Sequence, residues 1–282
     1  TAVLSSSKSK LLFCSDMMIE SVHFNLEFIT PRELGHKALA VCFSDLVAMN
    51  GRGLAATVSL ALPIREDFSK ESFVEEFYEG LGALAKQLEI DCVGGDLSFS
   101  PNSIFIDVAC VGESSNPKLR SGASPGDWVA VSGTPGASAA GLYDLQRSQQ
   151  TTLSLRQQHL TPLPRIDLLP VLTHATALID ISDGLASELH HIAKASKVGF
   201  EIDAARIPLH PDAVKLAPER ALDWALHGGE DYELLMTGAP ETPCPLRFTV
   251  IGRVTEGPEV VITDLNGAKR LLEPRGYDHF GR

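Results

Sequence analysis

Apolar runs of strand length alternate with amphipathic stretches of helical period along most of the chain, and that alternation restricts it to α/β architectures. Thr30-Pro31-Arg32-Glu33 has the form of a capping box with proline at the first helical position, and Leu34, Ala38, Val41 and Asp45 follow at helical spacing. A second helix is predicted over 69–88, with Phe73, Phe77, Leu81, Leu84 and Leu88 on one face, and it feeds a short apolar segment ending at Gly94-Gly95-Asp96. Strands are predicted over 103–112, 127–132, 177–181, 232–237 and 248–254. Helices are predicted over 137–145 and, after Ser182-Asp183-Gly184, from Leu185 onward with Leu189 and Ile192 inward; the polar stretch 146–158 also reads as helical. Between 114 and 125 a run of Ser, Asn, Pro, Lys and Gly breaks the pattern, which divides the chain into domains 1–115 and 116–282. With 282 residues, 44% of them hydrophobic, each domain can bury a core of its own.

A formal charge of −12 argues against a nucleic-acid or anionic-membrane surface. No apolar run reaches the roughly 20 residues of a membrane span and no signal peptide is visible. Cys14, Cys42, Cys92, Cys110 and Cys244 are scattered singly, without the paired spacing of zinc sites or disulfide frameworks, and read as reduced core residues of a cytoplasmic protein.

Acidic residues recur where strands or helices are expected to end: Asp16, Asp45, Asp96, Asp180, Asp183 and the Glu230-Asp231 pair. Most stand beside Gly or Ser, small enough for phosphate oxygens to come close. Carboxylates converging on one crevice need cations, and oxygen donors without clustered His or Cys favour magnesium, which bridges protein carboxylates to nucleotide phosphates. Structural readings stand beside the functional ones. An Asp at a helix start serves equally as a cap, as at Asp183; His23 also fits as an internally satisfied histidine; Gly94-Gly95 and Gly133-Thr134-Pro135-Gly136 also fit as plain turns. Asp45 lies late in its helix, where the helix dipole disfavours an anion, so capping does not account for it.

Seven ordered segments carry a resemblance over nearly the whole chain. They are Ser15-Asp16 through Glu20 to His23-Phe24; Lys37 to Val41 with Ser44-Asp45-Leu46 and Ala48-Met49; Gly94-Gly95-Asp96; Arg120-Ser121-Gly122-Ala123 with Gly126-Asp127; Asp180-Ile181-Ser182-Asp183-Gly184-Leu185; Gly228-Gly229-Glu230-Asp231-Tyr232-Glu233-Leu234; and Gly276-Tyr277-Asp278-His279-Phe280. Together they resemble the thiamine-monophosphate kinase family of the aminoimidazole ribonucleotide synthetase-like superfamily.

The resemblance implies a two-domain α/β (α+β) fold, with an N-terminal mixed-sheet domain that binds ATP and metal and joins a partner in a homodimer, and a C-terminal α/β domain closing over nucleotide and substrate. It implies ATP-dependent phosphorylation of thiamine monophosphate to thiamine diphosphate by direct in-line transfer, with several magnesium ions. Carried over, Ser15, Asp16, Asp45, Asp96, Asp180 and Asp183 would hold metal; Gly95, Asp96, Arg120 and Ser182 would contact ATP; His23, Glu230 and Tyr277 would hold thiamine monophosphate. Asp45, Asp183 and Arg120 would stabilise charge, with no residue acting as base. The alternatives are a sister ATP-dependent synthetase of the same superfamily and a non-catalytic nucleotide-binding homologue. This sequence departs from the family pattern at Ser21, Leu97 and Ala137, and the Gly-Asp-Asp segment expected just upstream of the region matching Thr1 to Leu4 is not in it, so one expected metal aspartate has no counterpart.

Overall fold

A computed structural model describes residues 2–5, 9–65, 68–147 and 152–277. Two compact units divide the chain: Thr1–Pro117 with Leu160–Ile166, and Lys118–His159 with Asp167–Arg282. The proline-bracketed stretch 160–166 thus groups with the first unit although it lies far along the sequence, and His36 Nε2–H donates to the Pro162 carbonyl at 2.8 Å.

In the first unit, strands β1 (Ala2–Ser5), β2 (Lys10–Ile19), β3 (Arg52–Leu62), β4 (Asp91–Phe99) and β5 (Phe105–Ser114) form one sheet in the order β1-β2-β5-β3-β4. Helices α1 (Pro31–Ala48) and α2 (Lys70–Gln87) belong to the same unit. The capping box at Thr30 is realised in full: Glu33 N–H donates to Thr30 Oγ1 at 3.2 Å, and Thr30 N–H donates to Glu33 Oε2 at 3.0 Å. The two helices pack at the closest approach the chain permits, because a Cβ on Gly35 would lie 1.9 Å from the Phe77 carbonyl oxygen and one on Gly80 would lie 1.8 Å from that of Arg32. Alternation along β2 buries Leu12, Cys14 and Met18 and exposes Phe13, Ser15 and Met17, so one sheet face packs into the core and the other lies open.

The expectation that the cysteines are isolated core residues needs correction at two points. Cys14, Cys42 and Cys110, far apart in sequence, meet in the core, with Cys14 Sγ 3.6 Å from Cys42 Sγ and donating to the Cys42 carbonyl at 3.1 Å. Cys92 is exposed, because β4 is the edge strand and every residue along it is exposed.

The second unit holds β6 (Trp128–Ser132), α3 (Ala137–Leu145), α4 (Leu153–Leu160, whose last residue falls in the first unit), β7 (Ala177–Asp180), α5 (Leu185–Ser196), β8 (Gly199–Asp203), α6 (Pro211–Leu216), α7 (Pro218–His227), β9 (Leu234–Gly238), β10 (Phe248–Thr255), β11 (Val260–Thr263) and β12 (Lys269–Leu271). Its sheet runs β12-β11-β8-β10-β6-β9-β7. Val129, Val131, Ile179, Leu235 and Ile251 of the strands pack with Leu185, Leu189 and Ile192 of α5 in one buried cluster. The helix predicted through 146–158 is not continuous: α3 stops at Leu145, α4 starts at Leu153, and 148–151 lie outside the described residues. The strand predicted from Tyr232 begins instead at Leu234, because Glu230 (φ 65°) and Tyr232 (φ 52°) adopt left-handed backbone that no ladder accommodates.

Candidate active site

The second unit gathers most of its predicted site residues around one turn. Strand β7 ends at Asp180, which is 5% exposed, and Ile181-Ser182-Asp183-Gly184 leads straight into α5. Gly184 (φ 107°) is the N-cap of α5 and carries no side chain to satisfy the turn, so capping by Asp183 is not what the fold uses. The acceptor comes from inside the helix. Glu188, 1% exposed, points back toward the helix start, and its Oε1 accepts from Asp183 N–H at 3.1 Å and from Ser182 Oγ–H at 3.3 Å. Burial pushes the Glu188 carboxyl up to about 8; repulsion from Asp180 and Asp183 adds to the rise, while the Asp183 N–H and the Arg120 guanidinium oppose it.

The carbonyl side of the same turn is tied to the predicted substrate residues. Glu230 N–H donates to the Ser182 carbonyl at 2.8 Å, and Tyr277 N–H donates to that of Asp183 at 3.2 Å. Asp180, Ser182, Asp183, Arg120, Glu230 and Tyr277 are therefore neighbours in one unit, whereas Asp278, His279 and Phe280 lie outside the described residues. Arg120 is exposed and its carbonyl accepts from Ser196 Oγ–H at 2.8 Å, which anchors its backbone to the end of α5.

Next to Glu230, fully buried Asp231 accepts from the Gly136 and Ser138 backbone N–H groups at 2.6 and 3.0 Å. Those amides open α3, so the loop Gly133-Thr134-Pro135-Gly136 is a structural turn and its helix end is already occupied by a carboxylate. Burial pushes Asp231 up to about 7, opposed by the two N–H donors. His159, 6% exposed, bonds Ser138 Oγ through Nδ1 at 3.0 Å, and the same nitrogen lies 3.6 Å from Glu230 Oε2.

The first unit distributes its predicted residues differently. Asp16 and Asp96 lie inside strands β2 and β4, not at their ends, and Asp45 is half-buried on α1. Asp16 shares a face with buried Cys14 and Met18, while Ser15 points to the opposite, open face and donates to Asp107 Oδ1 at 2.7 Å. Cross-strand register sets Met17, Asp107, Ser59 and Asp96 in one row on that open face. Gly95 is dictated by its neighbour strand, since a Cβ there would lie 1.7 Å from the Val58 carbonyl oxygen. His23 sits in the loop after β2, where its Nδ1 accepts from Ile19 N–H at 2.9 Å. That loop is clamped by Glu20, which accepts from Arg65 Nη1 and Nη2 at 2.9 and 2.5 Å and from Ile104 N–H at 3.0 Å; Arg65 holds its carboxyl below the usual range. Among the described residues no three His, Cys, Asp or Glu side chains are grouped so as to hold a metal ion by themselves. Sequence reasoning missed Glu188, Asp107 and His159; only Glu188 carried a local signal, as an acidic residue on the otherwise apolar face of a helix beginning at a glycine.

Fold and site together define a two-domain α/β protein of the AIR synthase related type: the N-terminal domain model matches residues 1–114 and the C-terminal domain model residues 124–264. Among curated proteins the chain is similar to thiamine-monophosphate kinase of Bacillus subtilis (39% identity over 95% of this chain and 88% of that one) and of Escherichia coli K12 (39% over 97% and 87%). Among solved structures it is similar to AaThiL complexed with AMPPCP and TMP, at 39% identity and TM-score 0.90 over 99% of this chain and 90% of that one. E. coli HypE, a hydrogenase maturation protein, shares the fold at 20% identity and TM-score 0.74, over 96% of this chain and 88% of that one. The chain belongs to the thiamine-monophosphate kinase family.

Proposed function

We propose that this chain transfers the γ-phosphoryl group of ATP to the phosphate of thiamine monophosphate, giving thiamine diphosphate and ADP. The observation that carries the reading is the Ser182–Asp183 turn, whose carbonyls are bonded by the backbones of Glu230 and Tyr277, so the residues assigned to nucleotide and those assigned to substrate share one rigid support. A relative at 39% identity binds an ATP analogue and TMP together.

Both reactants are anions, and the acceptor phosphate is ionised near neutral pH, so positioning and charge cancellation carry the rate and no general base is assigned. Arg120 offsets phosphate charge, Ser182 contacts ATP, and the Glu230 carboxylate and the exposed Tyr277 ring suit a cationic, planar thiazolium. His23, in the first unit, is the remaining residue that the family resemblance assigns to thiamine monophosphate. Buried Asp180 and half-buried Asp183 bring two carboxylates to one turn, oxygen donors of the kind that fits a hard divalent cation. Magnesium binds through one or two carboxylates plus phosphate oxygens, so a cage made by protein alone is not required. Asp180 and Asp183 from the second unit, and Asp16, Asp45, Asp96 and Ser15 from the first, are the proposed ligands; when bound, magnesium would neutralise the phosphate charge.

The first unit is also the proposed dimerisation domain of a homodimer. Strand β4 is exposed along its whole length with Val93, Leu97 and Phe99 65, 60 and 62% exposed, and the open sheet face presents Phe13 and Met17; an apolar edge of this kind is covered by another strand in stable proteins. No described helix is long and apolar enough to cross a membrane, and a cytoplasmic setting with access to ATP belongs to the same proposal.

Incubating the purified chain with ATP, magnesium and thiamine monophosphate and separating the products tests the reading. Equal amounts of ADP and thiamine diphosphate are expected. ADP without thiamine diphosphate, or neither, sinks it.

A further inference from the structure

We propose that Glu188 is a positioning residue for nucleotide binding, holding the Ser182–Asp183 turn in the shape that presents Ser182 to ATP and Asp183 to the magnesium that accompanies it. The inference deepens the function proposed above and rests on it. The turn is fixed on two sides. Its carbonyls are taken by Glu230 N–H on Ser182 at 2.8 Å and Tyr277 N–H on Asp183 at 3.2 Å. Its donors, the Asp183 N–H and the Ser182 hydroxyl, both converge on Glu188 Oε1, at 3.1 and 3.3 Å.

The helix itself offers no substitute, because its N-cap is Gly184, which has no side-chain oxygen. A Cβ at Gly184 would also lie 2.9 Å from the His227 carbonyl carbon, and φ is 107°, so a capping side chain cannot replace the glycine without strain. The acceptor has to come from the next turn of α5, and Glu188 is the residue whose side chain leans back far enough. Burying a carboxyl to 1% exposure is unfavourable unless its bonds are made, so packing alone would be better served there by a hydrocarbon.

Glu188→Met keeps the buried volume and removes the acceptor; Glu188→Gln keeps an acceptor at the same reach. In the full-length chain with saturating magnesium, calorimetric titration with AMPPCP is expected to weaken about 10-fold or more in Glu188→Met and to stay within about threefold of wild type in Glu188→Gln. The KM for ATP is expected to follow the analogue, with the KM for thiamine monophosphate unchanged, because the backbone bonds from Glu230 and Tyr277 remain. Wild-type analogue affinity in Glu188→Met overturns the proposal. So does an equal rise in both KM values, which is the signature of a loosened domain, or a Glu188→Gln as defective as Glu188→Met. A wild-type chain that binds AMPPCP yet makes no thiamine diphosphate overturns the substrate reading alone, and the titration still decides the role of Glu188.

Discussion

The two units solve the problem of assembling acidic residues in opposite ways. In the second, one strand–turn–helix passage delivers Asp180, Ser182 and Asp183, buried Glu188 braces the turn from below, and Glu230 and Tyr277 bond to its carbonyls. In the first, Asp16 lies on the core-facing side of β2, Ser15 beside it points to the open face with Asp107, and Asp96 sits on an exposed edge strand. Period-two alternation makes adjacent strand residues diverge, whereas a strand-to-helix turn makes them converge. On the proposed function, such a turn would be a finished half-site within a single domain. Carboxylates spread over a sheet act together only through something that spans them, such as a phosphate-bound cation or a partner subunit.

The largest effect that tests this contrast is on turnover. Asp183→Asn, placed at the finished half-site, is expected to lower kcat by about 100-fold or more while the urea unfolding midpoint stays near wild type, and Asp45→Asn on the dispersed side is expected to do the same. Product formation under saturating magnesium reads both. Near-normal turnover in Asp45→Asn alone would sharpen the contrast, leaving the second unit to bind metal by itself. Near-normal turnover in Asp183→Asn would break it.

A smaller effect separates scaffold from site. Gly80→Ala places a methyl 1.8 Å from the Arg32 carbonyl oxygen, and the α1–α2 contact has to open to admit it, at a cost of about 1–3 kcal/mol. Urea denaturation should show the loss, with the KM for ATP little changed. A Gly80→Ala as stable as wild type would mean that these helices pack less tightly than the structure shows.

How much of this was legible in the sequence follows the same division. Capping, turn and helix signals are local, so the Thr30 box, the helix from Leu185 and the Ser182-Asp183-Gly184 turn could be read directly. The divergence of Ser15 and Asp16, the meeting of Cys14, Cys42 and Cys110, and the exposure of Cys92 depend on which strands become neighbours and which becomes the edge. Composition puts Tyr232 in a strand, but its positive φ is imposed by the loop that brings Glu230 to the turn. Asp107 and Glu188 acquire their roles from groups 92 and 5 residues away, and only the nearer could have been suspected.

Asp231 gives a pH-dependent test inside the second unit. Its ordinary value of 3.8 rises to about 7 in the fold, chiefly through burial, so the folded chain holds a proton there that the unfolded chain releases. The stability from this group is complete below pH 4 and is lost as pH climbs through 7. Asp231→Asn does not titrate, so any stability it loses relative to wild type at pH 5 should shrink by pH 8, where wild type has given up the contribution of its proton. Urea midpoints at the two pH values measure it. A gap that widens toward pH 8 would show instead that the N–H donors outweigh burial and keep the carboxyl ionised.

The smallest effect belongs to a clamp in the first unit that resembles the second unit's turn. Arg65 holds Glu20 through both guanidinium nitrogens and also donates to the Asn102 carbonyl at 2.6 Å, which fixes the loop carrying His23. Arg65→Met keeps the hydrocarbon and removes the clamp, a loss of about 1 kcal/mol that corresponds to a change of about fivefold. If His23 contacts thiamine monophosphate, that factor appears in the KM for this substrate while the KM for ATP and kcat hold. An equal change in both KM values would assign the clamp to general stability, and the first unit would then contribute no preassembled element to the substrate side.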